Sequence, residues 1–182
     1  MAETKIKNQA VDTTIVTTTD TQTLTDKTIA GGDNTISGIT PGMWTNPYCF
    51  RAWDSGGTTL TDGAFIKINF ATEIYDYNNN FTASAYTAPV AGVYHFDGAV
   101  SIDGAISTGI DVIISIYVDG SEKIRGGRAS LINDSAMGIS ADILLAANEV
   151  VTLIFRQNSA GDEATKANVN QTWFSGHLVH AT

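Results

Sequence analysis

From Tyr94 onward the chain alternates. Tyr94, Phe96, Gly98, Val100 and Ile102 share one parity, while His95, Asp97, Ala99, Ser101 and Asp103 share the other. A period of two is the pattern of a half-buried β-strand, with one face on a core and the other mostly wet. Pro89 cannot donate to a ladder and Gly92 permits a sharp bend, so the strand is set off from the extended segment before it. The same alternation recurs in Tyr48, Phe50 and Ala52, in Ile110, Val112, Ile114, Ile116 and Val118, and in Met137, Ile139, Ala141, Ile143 and Leu145. Val151, Leu153 and Phe155 form a further apolar row, and Phe174, Gly176 and Leu178 close the series. Phe65–Phe70 reads as one more strand, Asp54–Gly57 as a turn, and Asp119–Gly120 as a hairpin turn. Roughly eight to ten strands of ordinary length with turn chemistry between them predict an all-β, two-sheet jelly-roll sandwich with almost no helix.

Residues 1–44 differ from the rest of the chain. They are rich in Thr, carry no aromatic residue before Trp44, and cannot build a core alone, which predicts an extended arm over 1–44 and a head domain over 45–182. Within the arm, Thr21–Ile29 and Thr35–Ile39 are short alternating segments separated by the turn cluster Gly31–Asn34. Such a segment is either a disordered linker or a strand that completes its hydrogen bonds on a partner's sheet edge. Cys49 is the single cysteine, so no disulfide can form within the chain. The first residues, Met1 to Asn8, lead into no apolar run, so neither a signal peptide nor membrane insertion is expected. A net charge of −9, from 10 Lys and Arg against 19 Asp and Glu, argues against a nucleic-acid partner.

Three segments in the head carry a resemblance. Ala88-Pro89-Val90-Ala91-Gly92-Val93-Tyr94-His95-Phe96 resembles the signature of C1q-like domains, of the C1q/TNF superfamily. Phe174-Ser175-Gly176-His177-Leu178 resembles the final strand of that family, and Leu144 to Leu153 resembles its two strands around a Leu-x-x-Gly-Asp-x-Val turn, with Asn148-Glu149 in place of Gly-Asp. The match covers about Tyr48 to Val179 and implies a C1q/TNF-like jelly roll. It also implies a homotrimer packed around a threefold axis. The parity opposite the core rows is not uniformly polar: Trp53, Phe65, Ile113, Tyr117, Val150, Ile154, Trp173 and Val179 fall on it, and these are the expected trimer-interface residues. In the arm, Thr-Gln-Thr-Leu-Thr-Asp-Lys-Thr-Ile resembles a phrase of bacteriophage fibre and appendage proteins.

Candidate chemistry is sparse. His95, His177 and His180 make no metal-ligand spacing, and His177 and His180 stand on opposite parities of the last strand. Ser175-Gly176-His177 lacks the Gly-x-Ser-x-Gly elbow, so no catalytic residue, and no enzyme, is expected. Asp76, Asp103, Asp119, Asp134 and Asp162-Glu163 sit at strand ends, where they could hold Ca2+ or simply form turns. No other cofactor is suggested. The segments Thr58–Gly63, Gly120–Asp134 and Asn158–Asn170 are expected to be loops at the ends of the sandwich. Lys123, Arg125 and Arg128 in the second of these form a candidate ligand loop, suited to an acidic glycan or another carboxylate.

These features together predict a virion structural protein of a bacteriophage, made in the host cytoplasm. It would be a trimeric capsid decoration or head fibre, held to capsid or tail proteins through 1–44, with its head displayed for binding a host-surface glycan or protein. A tail-fibre receptor-binding protein and a bacterial surface or spore adhesion protein are the alternatives.

Overall fold

A computed structural model describes residues 48–103, 110–131 and 136–182. The arm over 1–44, with its Thr21–Ile29 phrase, lies outside the described residues. The strands, in order, are β1 (Cys49–Trp53), β2 (Thr59–Leu60), β3 (Ile66–Lys67), β4 (Thr72–Asp76), β5 (Phe81–Thr82), β6 (Ala85–Thr87) and β7 (Gly92–Asp103). They continue as β8 (Ile110–Val118), β9 (Ser121–Leu131), β10 (Ala136–Leu145), β11 (Val150–Asn158), β12 (Glu163–Thr165) and β13 (Trp173–Ala181). Among the described residues there is no helix.

All pairing is antiparallel and divides between two sheets. The first runs β2-β12-β7-β13-β1-β4, with β10 on the free side of β7; the second runs β5-β6-β11-β8-β9, with β3 also on β11. The 12-residue β7 is the spine of the first sheet. One of its edges pairs with β10 from Gly92 to Ser101; the other pairs with β13 as far as Ala99 and then with β12 at Ile102 and Asp103.

The predicted apolar rows meet between the sheets. Phe50, Ala52, Tyr94, Phe96, Val100, Val112, Ile114, Ile116, Val151, Leu153, Phe155 and Phe174 are all fully buried there. The centre is aromatic. Phe50 stacks on Phe81 at 4.5 Å and on Tyr86 at 4.9 Å, and meets Phe174 edge-on at 5.2 Å. Phe96 stacks on Phe174 at 5.8 Å. Two strand-centre glycines make room for these rings. A Cβ on Gly176 would lie 2.5 Å from Cδ1 of Phe96 and 2.9 Å from Cε1 of Phe50, and one on Gly98 would lie 2.8 Å from Leu153. Glycine inside a strand weakens it locally, and here the offset is the close approach of Phe96 and Phe50 from adjoining strands at Gly176 and of Leu153 from the facing sheet at Gly98.

A buried carboxylate fastens one end of the sandwich. Asp54 accepts the amides of Gly56 and Gly57 at one oxygen and the hydroxyls of Thr58 and Thr165 at the other. A fully buried charge needs such satisfaction, and this one ties the turn after β1 to β12.

The segments expected as loops differ from that expectation. Thr58–Gly63 contains β2, Asn158–Asn170 contains β12, and most of Gly120–Asp134 is the long strand β9. Two register shifts against β8 interrupt the alternation of β9, one at Lys123 and one at Gly126. Gly126 is needed where it stands, since a Cβ there would lie 2.9 Å from both Ile114 and Ile139. β-bulges and paired glycines hide a strand from a search for period two.

Replacing Gly176 by Ala should destabilise the fold by about 1–3 kcal/mol, the usual cost of forcing extra volume into a packed core. Urea unfolding of the Gly176→Ala protein measures it, and an unchanged midpoint would contradict the packing described.

Candidate functional site

The two outer faces of the sandwich carry different chemistry. On the first sheet, the antiparallel registers line up three rows across β1, β13, β7 and β10. Trp53, Trp173, Ala99 and Gly138 form one row; Arg51, Ser175, Asp97 and Ser140 form the next; Cys49, His177, His95 and Asp142 form the third. Each row is a set of directly opposed side chains, the spacing at which cross-strand pairs interact. Arg51 lies 4.7 Å over the Trp173 ring. At the edge, Tyr75 is opposed to Arg51 and stacks on Tyr77 at 5.5 Å, with Tyr77 72% exposed.

His95 is the most constrained polar group on this face. Its Nδ1 lies 2.6 Å from Asp142, its Nε2 lies 3.0 Å from Asp97, and its ring centroid is 5.4 Å from that of His177. A carboxylate at each ring nitrogen favours the imidazolium, which donates from both. The hydrogen bond to Asp142 is the main cause that raises the His95 pKa above its ordinary value; burial opposes it, and the charge and hydrogen bond of Asp97 add to the rise. Asp97 follows from alternation along β7, whereas Asp142 reaches His95 only through the β7–β10 register. Lone-strand reading therefore missed it.

His177 and His180 do not face opposite ways. The register shifts at Val179, so His177 is opposed to His95 and His180 to Val93, which share one side of β7. The bulge adds a residue that simple parity counting omits.

The expected interface residues do not form one surface. Trp53, Trp173 and Val179 belong to the first sheet, whereas Phe65 precedes β3, Ile113 and Tyr117 lie on β8, and Val150 and Ile154 lie on β11 in the second. Ile113 is 8% exposed and Ile154 9%, although both stand on the outer side of their sheet. Their cross-strand neighbours are long side chains: Arg156 and Arg128 flank Ile113, and Lys67 is opposed to Ile154. Aliphatic stems of such residues cover apolar surface while their heads stay in water. The second-sheet isoleucines are thus already covered within one chain.

Lys123, Arg125 and Arg128 stand on strand β9, not on a loop, which corrects the expected ligand loop. Arg125 donates through Nε and Nη2 to the two carboxylate oxygens of Glu122, each at 2.7 Å, and Arg128 pairs with Asp111. Each pairing holds its carboxyl below the usual carboxylate range. The bulge at Lys123 and the shift at Gly126 bring Arg125 opposite Ser115 and Arg128 opposite Ile113 on the outer face.

Three of the acidic turn residues are engaged by backbone amides. Asp76 accepts from Asn80 and Phe81, Asp119 from Val150, and Asp162 from Asp62. Asp134 lies outside the described residues, and among the described residues no three metal-ligating side chains cluster.

Known structures share this architecture. Murine APRIL, in its structure at pH 5.0, superposes with a TM-score of 0.54 over 72% of this chain and 98% of its own, at 12% identity. Eiger TNF from S. frugiperda gives 0.51 over 74% and 94%, at 11% identity. The fold is the C1q/TNF-like jelly roll. The globular domain of zebrafish complement 1qA also aligns, at 15% identity and a TM-score of 0.42. No protein-family model matches the sequence, and none of the curated proteins matches it. At such identities the C1q/TNF-like likeness is one of fold, and function has to be argued from the faces of this chain.

The His95 bridge makes stability depend on pH. A group whose folded-state pKa is raised stabilises the fold fully below its unfolded value, 6.5, and that contribution is lost as pH rises through the folded value. The melting temperature should therefore fall as pH rises above about 6.5, and fall less in the His95→Gln protein. Equal slopes for the two proteins would contradict the bridge.

Proposed function

We propose that this chain is a structural protein of a bacteriophage virion. It acts as a trimeric capsid decoration or head fibre that presents the jelly-roll head for host-surface binding, with residues 1–44 as the anchor to capsid or tail proteins. The observation that carries the reading is the pairing, in one chain, of the Thr21–Ile29 phrase with a C1q/TNF-like head. The phrase resembles those of phage fibres and appendages, and the head is a rigid β scaffold of the kind that carries binding surfaces.

Self-association is supported by the outer face of the first sheet. It presents the Trp53–Trp173 pair, both indoles part-exposed, beside the small residues Ala99 and Gly138, with Arg51 lying over the Trp173 ring. Large aromatic side chains are the usual anchors of protein interfaces, and a closed ring of three copies buries such a patch without leaving an open end. Three heads on one fibre also raise weak single-site binding through effective concentration.

Antibody against the 48–182 head, applied to purified virions and viewed by electron microscopy, tests the role. Label over the capsid is the expected result. Label at the tail tip would move the protein to the tail-fibre alternative, and unlabelled virions would overturn the reading.

A further inference from the structure

The outer face of the second sheet gathers the cations of an acidic protein. Among the described residues, every Lys and Arg except Arg51 and Lys166 lies on β3, β9 or β11, in a chain whose net charge is −9. Arg125 and Arg128 already hold Glu122 and Asp111. Lys67 and Arg156 are anchored differently, on backbone carbonyls, although Arg156 is near enough to Asp111 to help lower that carboxylate's pKa. Lys67 donates one Nζ proton to the carbonyl of Ala83 at 2.8 Å, and Arg156 donates its Nε to the carbonyl of Gly63 at 2.9 Å. The ammonium and the guanidinium each carry further donor hydrogens beyond these anchoring bonds. The carboxylates of the neighbouring turn are otherwise engaged: Asp62 accepts from Ala160, and Asp162 accepts from Asp62.

These two cations stand on adjacent strands, with an aromatic ring beside Arg156. Lys67 is opposed to Ile154, two residues from Arg156 on β11, which makes the pair diagonal neighbours across adjacent strands. Arg156 sits 5.8 Å over the ring of Phe65, which is 45% exposed although large and apolar.

We infer that Lys67, Arg156 and Phe65 form a binding site for a carboxylate-bearing sugar unit of an acidic surface polysaccharide. A guanidinium fork matches a carboxylate with two parallel hydrogen bonds, as Arg125 does with Glu122 on this same face. The ammonium of Lys67, on the adjacent strand, adds to the positive charge of the face, and the exposed side of Phe65 receives the apolar face of the sugar ring. Both cations are fixed in advance by backbone carbonyls, so little freedom is lost on binding. The overall negative charge of the chain disfavours a densely charged duplex, whereas a sparse row of sugar carboxylates meets the local positive face. This deepens the host-surface-binding reading by naming a face and a ligand chemistry, and it requires neither the virion role nor the trimer.

Affinity electrophoresis of the full chain through gels containing polygalacturonate, with dextran as the neutral polymer and duplex DNA as the competing polyanion, tests the site. Retardation by polygalacturonate alone is expected, weakening with added salt. The double substitution Lys67→Ala and Arg156→Ala should lower the affinity at least tenfold, and Phe65→Ala should lower it alone. Because Arg156 also anchors Gly63, Lys67→Gln serves as the milder variant, with unchanged melting temperatures showing that the fold is kept. Unretarded wild-type protein, undiminished binding by the folded variants, or equal retardation by DNA would each overturn the assignment. Sugar binding by a protein absent from virions would leave the site standing and remove only the virion reading.

Discussion

The sandwich depends on rings from both sheets meeting where two strands give up their side chains. Phe50, Phe96 and Phe174 come from the first sheet and Tyr86 from the second, and they approach within stacking or edge contact. That approach requires Gly98 and Gly176, because a Cβ at either position would enter space that Leu153, Phe96 or Phe50 occupies. Aromatic contacts at such distances add to simple area burial, and they prefer a limited set of ring orientations. The spine strand, the closing strand and the first strand of the head are thereby locked in one register. That register in turn fixes which side chains share a row on the outer face.

The two outer faces follow from this register and diverge in character. On the first sheet the rows set two indoles beside small residues, and a histidine between two carboxylates, so the surface combines apolar area with a titratable centre. On the second, isoleucines form a floor beneath the stems of Arg156, Arg128 and Lys67, and the exposed layer is cationic. One face is the one proposed to meet further copies of the chain. The other suits an anionic ligand, and a rigid sandwich can carry both because neither needs a loop to order on binding.

Much of this was legible in the sequence, because burial on one side of an unbulged strand leaves a clear period of two. In the rows of Tyr94, Val112, Met137, Val151 and Phe174 the large apolar side chains whose burial is described lie in the core, with Ala141 and Leu178 packed against it. What escaped reading depends on bulges and on partners distant in the chain. β9 looked like a loop because bulges at Lys123 and Gly126 break its alternation, and His180 changed sides because of the extra residue at Val179. Asp142 gave no local sign of meeting His95, 47 residues away. Phe65, Ile113, Tyr117 and Ile154 share a parity with Trp53, Trp173 and Val179 in the sequence, but parity does not say which of two sheets a strand joins. The core is a matter of local pattern, whereas a surface site is a matter of registry between strands.

The proposed assembly through the first-sheet face is tested most directly by the solution mass of the full chain, measured by sedimentation equilibrium beside a Trp53→Glu, Trp173→Glu protein. Three times the 19.3 kDa chain mass is expected for the wild type, with a fall to one chain mass in the folded double variant. A wild type at one chain mass, or a variant that stays at three, would contradict the assignment of that face.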